Sequence, residues 1–156
     1  MSKALLEVKN LSMHYETMEG NVDAVKNISF EVNSGESFGL VGESGCGKTS
    51  VAMTLLQLQP DNSVITQGSI KLDGKELIGL SENDLRKVRW DSISIVFQGA
   101  MNAWNPVIKI GEQIREAMRE HYPENTKQDN MNKIIELFRM VGLDESTIDR
   151  YPHELS

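Results

Sequence analysis

The string from Gly42 to Thr49 restricts the fold of this chain more than any other feature. It reads Gly-Glu-Ser-Gly-Cys-Gly-Lys-Thr and matches the pattern G-x-x-x-x-G-K-[ST]. Such a string needs a strand before it and a helix after it, because its glycines turn the backbone sharply between the two. Ser37–Val41 is short and mostly apolar, and Lys48–Gln59 carries apolar residues at helical spacing. The string therefore predicts an α/β protein of the P-loop class.

The residue types in this string suit a polyphosphate. Glycines let successive backbone N–H groups turn toward an anion, and the start of a helix adds its own free N–H groups. Lys48 would place a cation on the β and γ phosphates, and the Thr49 hydroxyl would bind Mg²⁺. Ser50, one position further on, would assist at the α phosphate. The predicted phosphate-binding residues are Gly42, Glu43, Ser44, Gly45, Cys46, Gly47, Lys48, Thr49 and Ser50. A glycine turn with an incidental lysine is the alternative, and the flanking strand and helix disfavour it.

Charge and cysteine content exclude several classes of function. A net charge of -7 over 156 residues argues against a nucleic-acid backbone as the main partner. The short basic block at Arg86, Lys87 and Arg89 is interpreted as a solvated helix face. A single cysteine, Cys46, supports neither a disulfide framework nor a zinc site, which favours a reducing cytosolic compartment. No apolar run approaches the ~18 residues that a membrane span needs, so any work at a membrane would depend on a partner subunit.

The remaining pattern is rich in strands up to about Gln98 and helical after it. Asn33–Gly35 and Asp73-Gly74 predict turns, Glu16–Asp23 predicts a loop, and Ser81 with Asp84 predicts a helix N-terminus. Strands are predicted at Leu6–Leu11, Ala24–Val32, Ser37–Val41, Gly68–Leu72 and Ile93–Phe97. Helices are predicted over Lys48–Gln59, closed by Pro60, and around the apolar faces Ile110–Met118 and Met131–Val141, with Gly142 after the last.

Several segments outside the P-loop carry a resemblance to a known family. They are the lead-in Leu5–Tyr15, Ala24–Phe30 and Ser34-Gly35-Glu36, the Q-loop string Val96-Phe97-Gln98, Asn105-Pro106, and Tyr151–Ser156 before a signature motif. With the P-loop, they resemble the ATP-binding subunit of an ABC transporter, in the dipeptide and oligopeptide importer group, over the whole chain. The resemblance implies a P-loop NTPase fold, half of a RecA-like core with an antiparallel β subdomain, followed by the start of a helical subdomain. It implies a nucleotide-binding domain over residues 1–106 and a helical subdomain over residues 107–156.

The resemblance also implies roles for residues outside the P-loop. Tyr15 would stack on adenine and Val25 would pack against the same base, with ATP and Mg²⁺ as cofactors. Gln98 would contact Mg²⁺ beside Thr49 and act in catalysis with Lys48. The alternatives are a surface aromatic at a strand end for Tyr15, plain strand core for Val25 and a polar strand terminus for Gln98.

The implied partners are transmembrane permease subunits and a second ATP-binding subunit, with no nucleic acid. The implied location is the cytoplasmic face of the cell membrane, where the protein is peripheral. The sequence departs from the family at Gly99-Ala100, where an acidic residue and proline are usual, and at Trp104, where a smaller residue is usual. These departures affect the expected subunit contacts rather than the nucleotide site.

The sequence contains no apolar run ending in Asp-Glu that could serve as a Walker B strand, and it ends at Leu155-Ser156. Hydrolysis needs a carboxylate to activate water and another near Mg²⁺. We therefore expect a fragment of a longer protein, with an unpaired strand edge and little ATPase activity of its own. The main hypothesis is a component that couples ATP hydrolysis to peptide or related solute import. The alternatives are a non-catalytic nucleotide-binding fragment or another P-loop NTPase. GTP is disfavoured because Asn132-Lys133-Ile134-Ile135 lacks the aspartate of a guanine-reading motif.

Overall fold

The computed structural model describes residues 4–155, without the side chains of Met101 and Asn102. The chain divides into two compact units between Ser94 and Ile95. The predicted division into a nucleotide-binding core over residues 1–106 and a helical subdomain over residues 107–156 stays a prediction.

An antiparallel sheet forms most of the first unit. Its strands are β1 (Ala4–Thr17), β2 (Gly20–Asn33), β3 (Ser63–Leu72) and β4 (Lys75–Glu76), in the order β2-β1-β3-β4. β1 lies in the middle and pairs with both β2 and β3 along most of its length. The sheet confirms the predicted antiparallel subdomain, and its strands are longer than the apolar pattern indicated.

The polar segment Glu16–Asp23 corrects one prediction. Most of it is strand, because Tyr15 pairs with Val22 and Glu16 with Asn21, and only Met18-Glu19 turns the chain. Backbone pairing here continues past the last apolar residue, so side-chain pattern alone gave too long a loop. The predicted turns at Asn33–Gly35 and Asp73-Gly74 are confirmed.

Two helices, α1 (Lys48–Leu55) and α2 (Glu82–Asp91), complete the first unit. α1 ends before the predicted Gln59, because Gln57 takes a left-handed conformation at φ 52. The Leu58 N–H then donates to the Met53 carbonyl at 2.9 Å and the Gln57 N–H to Thr54 at 3.1 Å, which is the Schellman arrangement. This motif, and not Pro60, closes the helix. The predicted N-cap of α2 is confirmed, since the Ser81 side chain accepts from the Asp84 N–H.

Two apolar segments predicted as strands are not strands. They are Ser37–Val41, here called the lead-in segment, and Ile93–Phe97. Within residues 4–155, neither has a sheet partner, and Val41 and Val96 are 91% and 87% exposed. A strand exists only with a neighbour that accepts and donates its backbone hydrogen bonds, so an apolar pattern is not sufficient.

The second unit is helical, as predicted. It contains α3 (Ile110–His121) and α4 (Lys127–Met140), with 3₁₀ turns at Ala100–Ala103, Glu145–Asp149 and Pro152–Glu154. Thr126 and Asp129 form a reciprocal capping box at the start of α4, and Gly142 follows its end, as predicted.

Each unit has its own buried core. The first core joins the sheet to both helices and comprises Val8, Leu11, Met13, Val25, Val51, Ile70, Leu72, Leu77 and Val88. The second comprises Ile110, Met118, Ile134, Phe138 and Ile148. In the first unit this packing fixes α1, and with it the end of the P-loop, against β1 and β2.

Candidate functional site

The backbone of the P-loop is fitted closely to β2. Gly47 is the residue before α1 and has φ 90, which L side chains rarely adopt. A Cβ atom at Gly47 would lie 2.2 Å from the carbonyl oxygen of Ala24, a backbone atom of β2. Only glycine therefore fits at this position. A Cβ at Gly42 would lie 2.5 Å from the Cys46 Sγ atom, so Cys46 also packs closely against the start of the loop.

The first turn of α1 provides free N–H groups at the end of the loop. The first helical hydrogen bond runs from the Val51 N–H to the Gly47 carbonyl at 2.9 Å. The N–H groups of Lys48, Thr49 and Ser50 precede it and have no partner within the helix. No acidic residue lies in this turn and no side chain caps it. The positive end of the helix is therefore open to an anion, as the P-loop pattern requires.

Lys48 folds back over the loop. Its ammonium group donates to the carbonyl oxygens of Gly42 at 2.7 Å and Glu43 at 2.6 Å. The Cys46 Sγ atom lies 3.4 Å from the same Nζ atom, and Cys46 is exposed. The loop therefore holds one positive charge beside the N-terminus of α1, on contacts that an anion could replace.

Tyr15 and Ser50, which sequence reasoning assigned to base and phosphate, are brought into direct contact. The Tyr15 hydroxyl on β1 donates to the Ser50 Oγ atom at 3.0 Å, and both side chains are half-buried. Val25 lies in the core and is 5% exposed. It offers a base little surface, and its position agrees with the plain core alternative. The contacts of Tyr15 and Val25 with adenine stay predictions.

Thr49 is exposed, and within residues 4–155 its hydroxyl has no hydrogen-bond partner. The Thr49 hydroxyl is thus the one ligand that the described P-loop offers to Mg²⁺. In the described part of the chain, no group of three histidine, cysteine or carboxylate side chains could hold a metal by itself. These residues fit a metal that arrives with phosphate oxygens of its own.

Gln98 belongs to the unit of residues 95–156 and is exposed, just before the 3₁₀ turn at Ala100–Ala103. Its predicted place at the Mg²⁺ ion stays a prediction.

Sequence reasoning missed Arg89. Its guanidinium donates to the carbonyl oxygens of Leu56 at 2.7 Å and Gln57 at 2.6 Å, at the C-terminal end of α1. A third nitrogen contacts Glu82 at 2.7 Å, and the side chain is 17% exposed. The interpretation of Arg89 as part of a solvated face is therefore wrong. The two carbonyl partners lie 33 and 32 residues away in sequence, so no local pattern could have revealed them.

Both the sequence and the fold of this chain resemble those of proteins whose family is known. A family model described as ABC transporter matches residues 25–156. The dipeptide transport ATP-binding protein DppD of Lactococcus lactis is 37% identical over 97% of this chain and 44% of its own length. The oligopeptide transport ATP-binding protein AppD of Bacillus subtilis is 39% identical over 97% of this chain and 47% of its own. The ATP-binding cassette MJ0796, solved bound to ADP and Pi, superposes with a TM-score of 0.80 at 25% identity, over 97% of this chain and 63% of that one.

The antiparallel sheet, the P-loop with its helix and the helical unit together define the ABC ATPase fold, of which this chain contains a part. The chain belongs to the ABC transporter family, as an ATP-binding component. It spans about half the length of the curated relatives it matches. In the described residues, no helix combines the length and apolarity needed to traverse a bilayer.

Proposed function

We propose that this chain is the nucleotide-binding part of an ATP-driven importer of peptides or related solutes. The observation that carries the proposal is the Lys48 ammonium group, held at 2.6–2.7 Å by two carbonyl oxygens of the P-loop. A cation beside the open N-terminus of a helix is suited to phosphates. The substrate class is supported by relatives that are named for dipeptide and oligopeptide transport.

Each group of P-loop residues would bind a different part of the triphosphate. The Lys48 ammonium would exchange its contacts with Gly42 and Glu43 for oxygens of the β and γ phosphates, since charged acceptors bind an ammonium more strongly than neutral carbonyls. The free N–H groups of the first turn of α1 would stabilise the remaining negative charge of the phosphates. Magnesium neutralises phosphate charge when bound, and Thr49 and Gln98 would hold it. Tyr15 and Val25 would meet the adenine ring.

Hydrolysis would need groups beyond those in the 156 residues. Lys48 and Gln98 are the proposed catalytic residues, but no carboxylate follows an apolar strand in the manner of Walker B. We infer that the 156 residues bind ATP but hydrolyse it slowly unless another protein segment supplies the carboxylate. In this proposal the chain works at the cytoplasmic face of the membrane with permease subunits and a second ATP-binding subunit. Residues up to 106 would bind nucleotide, and residues from 107 onward would form the helical subdomain that leads to the signature motif. The segment after Gln98 would face the permease subunits and pass on the nucleotide state.

The test is a titration of the purified chain with a fluorescent ATP analogue, in Lys48→Ala and Lys133→Ala variants. Lys133 is an exposed lysine of α4, paired with Glu136 three residues on, so its loss should change little. We expect Lys48→Ala to weaken binding at least tenfold, on the order of one charge-assisted contact, and Lys133→Ala to match the original chain. Equal binding by both variants would overturn the proposal.

Competition by unlabelled ATP and GTP tests the base, and we expect adenine nucleotides to compete better. Phosphate release tests the inferred lack of turnover. Rapid multiple turnover by the chain alone would show that the missing carboxylate is supplied from within it.

A further inference from the structure

The contact between Tyr15 and Ser50 joins β1 to the first turn of the P-loop helix. The two residues are 35 positions apart, and the Tyr15 hydroxyl donates to the Ser50 Oγ atom at 3.0 Å. The rest of the Tyr15 ring packs against the sheet core, which fixes the direction from which the hydroxyl approaches. The sheet core thus holds the Tyr15 ring, and Ser50 holds its hydroxyl.

A hydroxyl that accepts a hydrogen bond is a better donor, and its own proton must point elsewhere. In the described part of the chain, Ser50 Oγ donates to no acceptor. A helical serine commonly turns its proton back to the carbonyl four residues earlier. The bond from Tyr15 occupies one lone pair and holds the Oγ atom toward β1. The Ser50 proton is then available at the open end of α1, where no acidic side chain competes for it.

We propose that the Tyr15 hydroxyl is a positioning group that sets Ser50 as a hydrogen-bond donor to a phosphate oxygen. The inference rests on the proposed nucleotide function and adds a second role for Tyr15, separate from that of its ring. One side chain, Tyr15, would then contribute to the binding of both the base and the phosphates. Phenylalanine at position 15 would keep the ring and lose the link to the phosphate.

The test uses Tyr15→Phe, Ser50→Ala and the double variant in the whole chain, with three ligands: ATP, inorganic tripolyphosphate and adenosine. Tyr15→Phe should lower the affinity for ATP and for tripolyphosphate by about twofold to tenfold, the range of one hydrogen bond. It should leave adenosine unchanged, because adenosine has no phosphate. Ser50→Ala should have a similar effect, and the double variant should be no worse than Ser50→Ala alone.

Two further variants separate positioning from packing. Ser50→Thr keeps the hydroxyl and should keep phosphate affinity close to that of the original chain. Tyr15→Leu removes the ring and the hydroxyl, so it should lower the affinity for adenosine as well as for the phosphate ligands. Thermal unfolding without ligand measures any loss of stability, which by itself would weaken all three ligands together.

The inference is overturned if Tyr15→Phe binds tripolyphosphate as the original chain does, or if the two single effects add fully in the double variant. The proposed function fails in a different way, if the original chain binds neither ATP nor tripolyphosphate. The first result leaves nucleotide binding intact, so the two failures are distinguishable.

Discussion

The strands of the antiparallel sheet and the lead-in segment Ser37–Val41 both contain residues that favour strands, but they differ in structure. β1 and β2 are each 14 residues long, whereas the lead-in segment is short, with Phe38 and Val41 as its aromatic and β-branched residues. In the sheet, Val8 and Ile70 face each other on β1 and β3 and are fully buried. In the lead-in segment, Leu40 is 43% exposed and Val41 is 91% exposed. Phe38 stacks on Phe30 of β2, with ring centroids 4.9 Å apart, and is 46% exposed.

The difference is one of partners rather than of propensity. β1 has neighbours at both edges because a hairpin pairs it with β2, and the chain returns after α1 to pair β3 with its other edge. Within residues 4–155, the lead-in segment finds none. A strand contributes stability through cross-strand pairs and burial, so a run with strand composition but no neighbour contributes little. The P-loop is therefore held from its helix side, by α1, and hardly by the segment before it.

Hydrogen exchange should show the largest contrast. Val8 lies in the central paired strand and the Ile70 N–H donates to the Glu76 carboxylate at 2.9 Å, so both amides should exchange only on global unfolding. The amides of Leu40 and Val41 should exchange near the rate of an open chain. For a domain of ordinary stability the ratio is about a thousandfold or more. Exchange followed by NMR checks this. Comparable protection in both regions would mean that the lead-in segment has a hydrogen-bonded neighbour.

Matched valine truncations sharpen the same comparison. Val8→Ala removes two buried carbons and leaves a cavity, so it should cost about 2–3 kcal/mol of the free energy of unfolding. Val41→Ala removes the same atoms from an exposed position and should cost less than about 0.5 kcal/mol. Urea denaturation measures both. The comparison breaks if the two variants lose similar stability.

Removal of the Arg89 side chain tests how α1 is held. Arg89→Met should leave the carbonyls of Leu56 and Gln57 without their charged donor, at a cost of about 2 kcal/mol. Lys87→Met, on the exposed face of the same helix, is the control and should change stability by less than about 0.5 kcal/mol. Thermal unfolding distinguishes them, and equal melting temperatures would show that Arg89 is not needed to fix α1.

Acid should act more on the sheet than on the turn that leads into Ser37–Val41. Burial alone would raise the pKa of Glu76, but hydrogen bonds from the Ser69 hydroxyl and the backbone N–H groups of Ile70, Ile78 and Leu77 outweigh it and lower the pKa. Glu36 also has a lowered pKa, because the backbone and side chain of Asn33 donate to it, but it is fully exposed.

A lowered folded-state pKa gives stability that is present above the unfolded value and is lost as pH falls through the folded value. We therefore expect stability to decline from about pH 4.3 downward. Glu76→Gln should flatten this decline more than Glu36→Gln does. Unfolding curves between neutral and acidic pH check it, and an unchanged profile in Glu76→Gln would assign the decline to other carboxylates.

Several features could be predicted because the reason for them lies within a few residues. The P-loop string, the Ser81 cap with Asp84, the Asp73-Gly74 turn and the position of Gly142 each depend on one residue and its near neighbours. Helix periodicity placed α3 and α4 for the same reason. Strand ends were less predictable, as Glu16–Asp23 shows, because backbone pairing across the Met18-Glu19 turn continues past the last apolar residue.

The site shows the same division. Sequence named Tyr15, Lys48, Thr49 and Ser50 separately. It gave no sign that Tyr15 donates to Ser50, because residues 35 apart meet only when β1 packs beside α1.

By itself, the sequence determined that the chain has a phosphate-type loop, a strand-rich first part and a helical second part, since composition, periodicity and turn chemistry act locally. Only the tertiary structure decided which apolar runs became strands and what Arg89 holds. Those outcomes depend on backbone and side-chain partners brought together by folding, and no pattern along the chain records them.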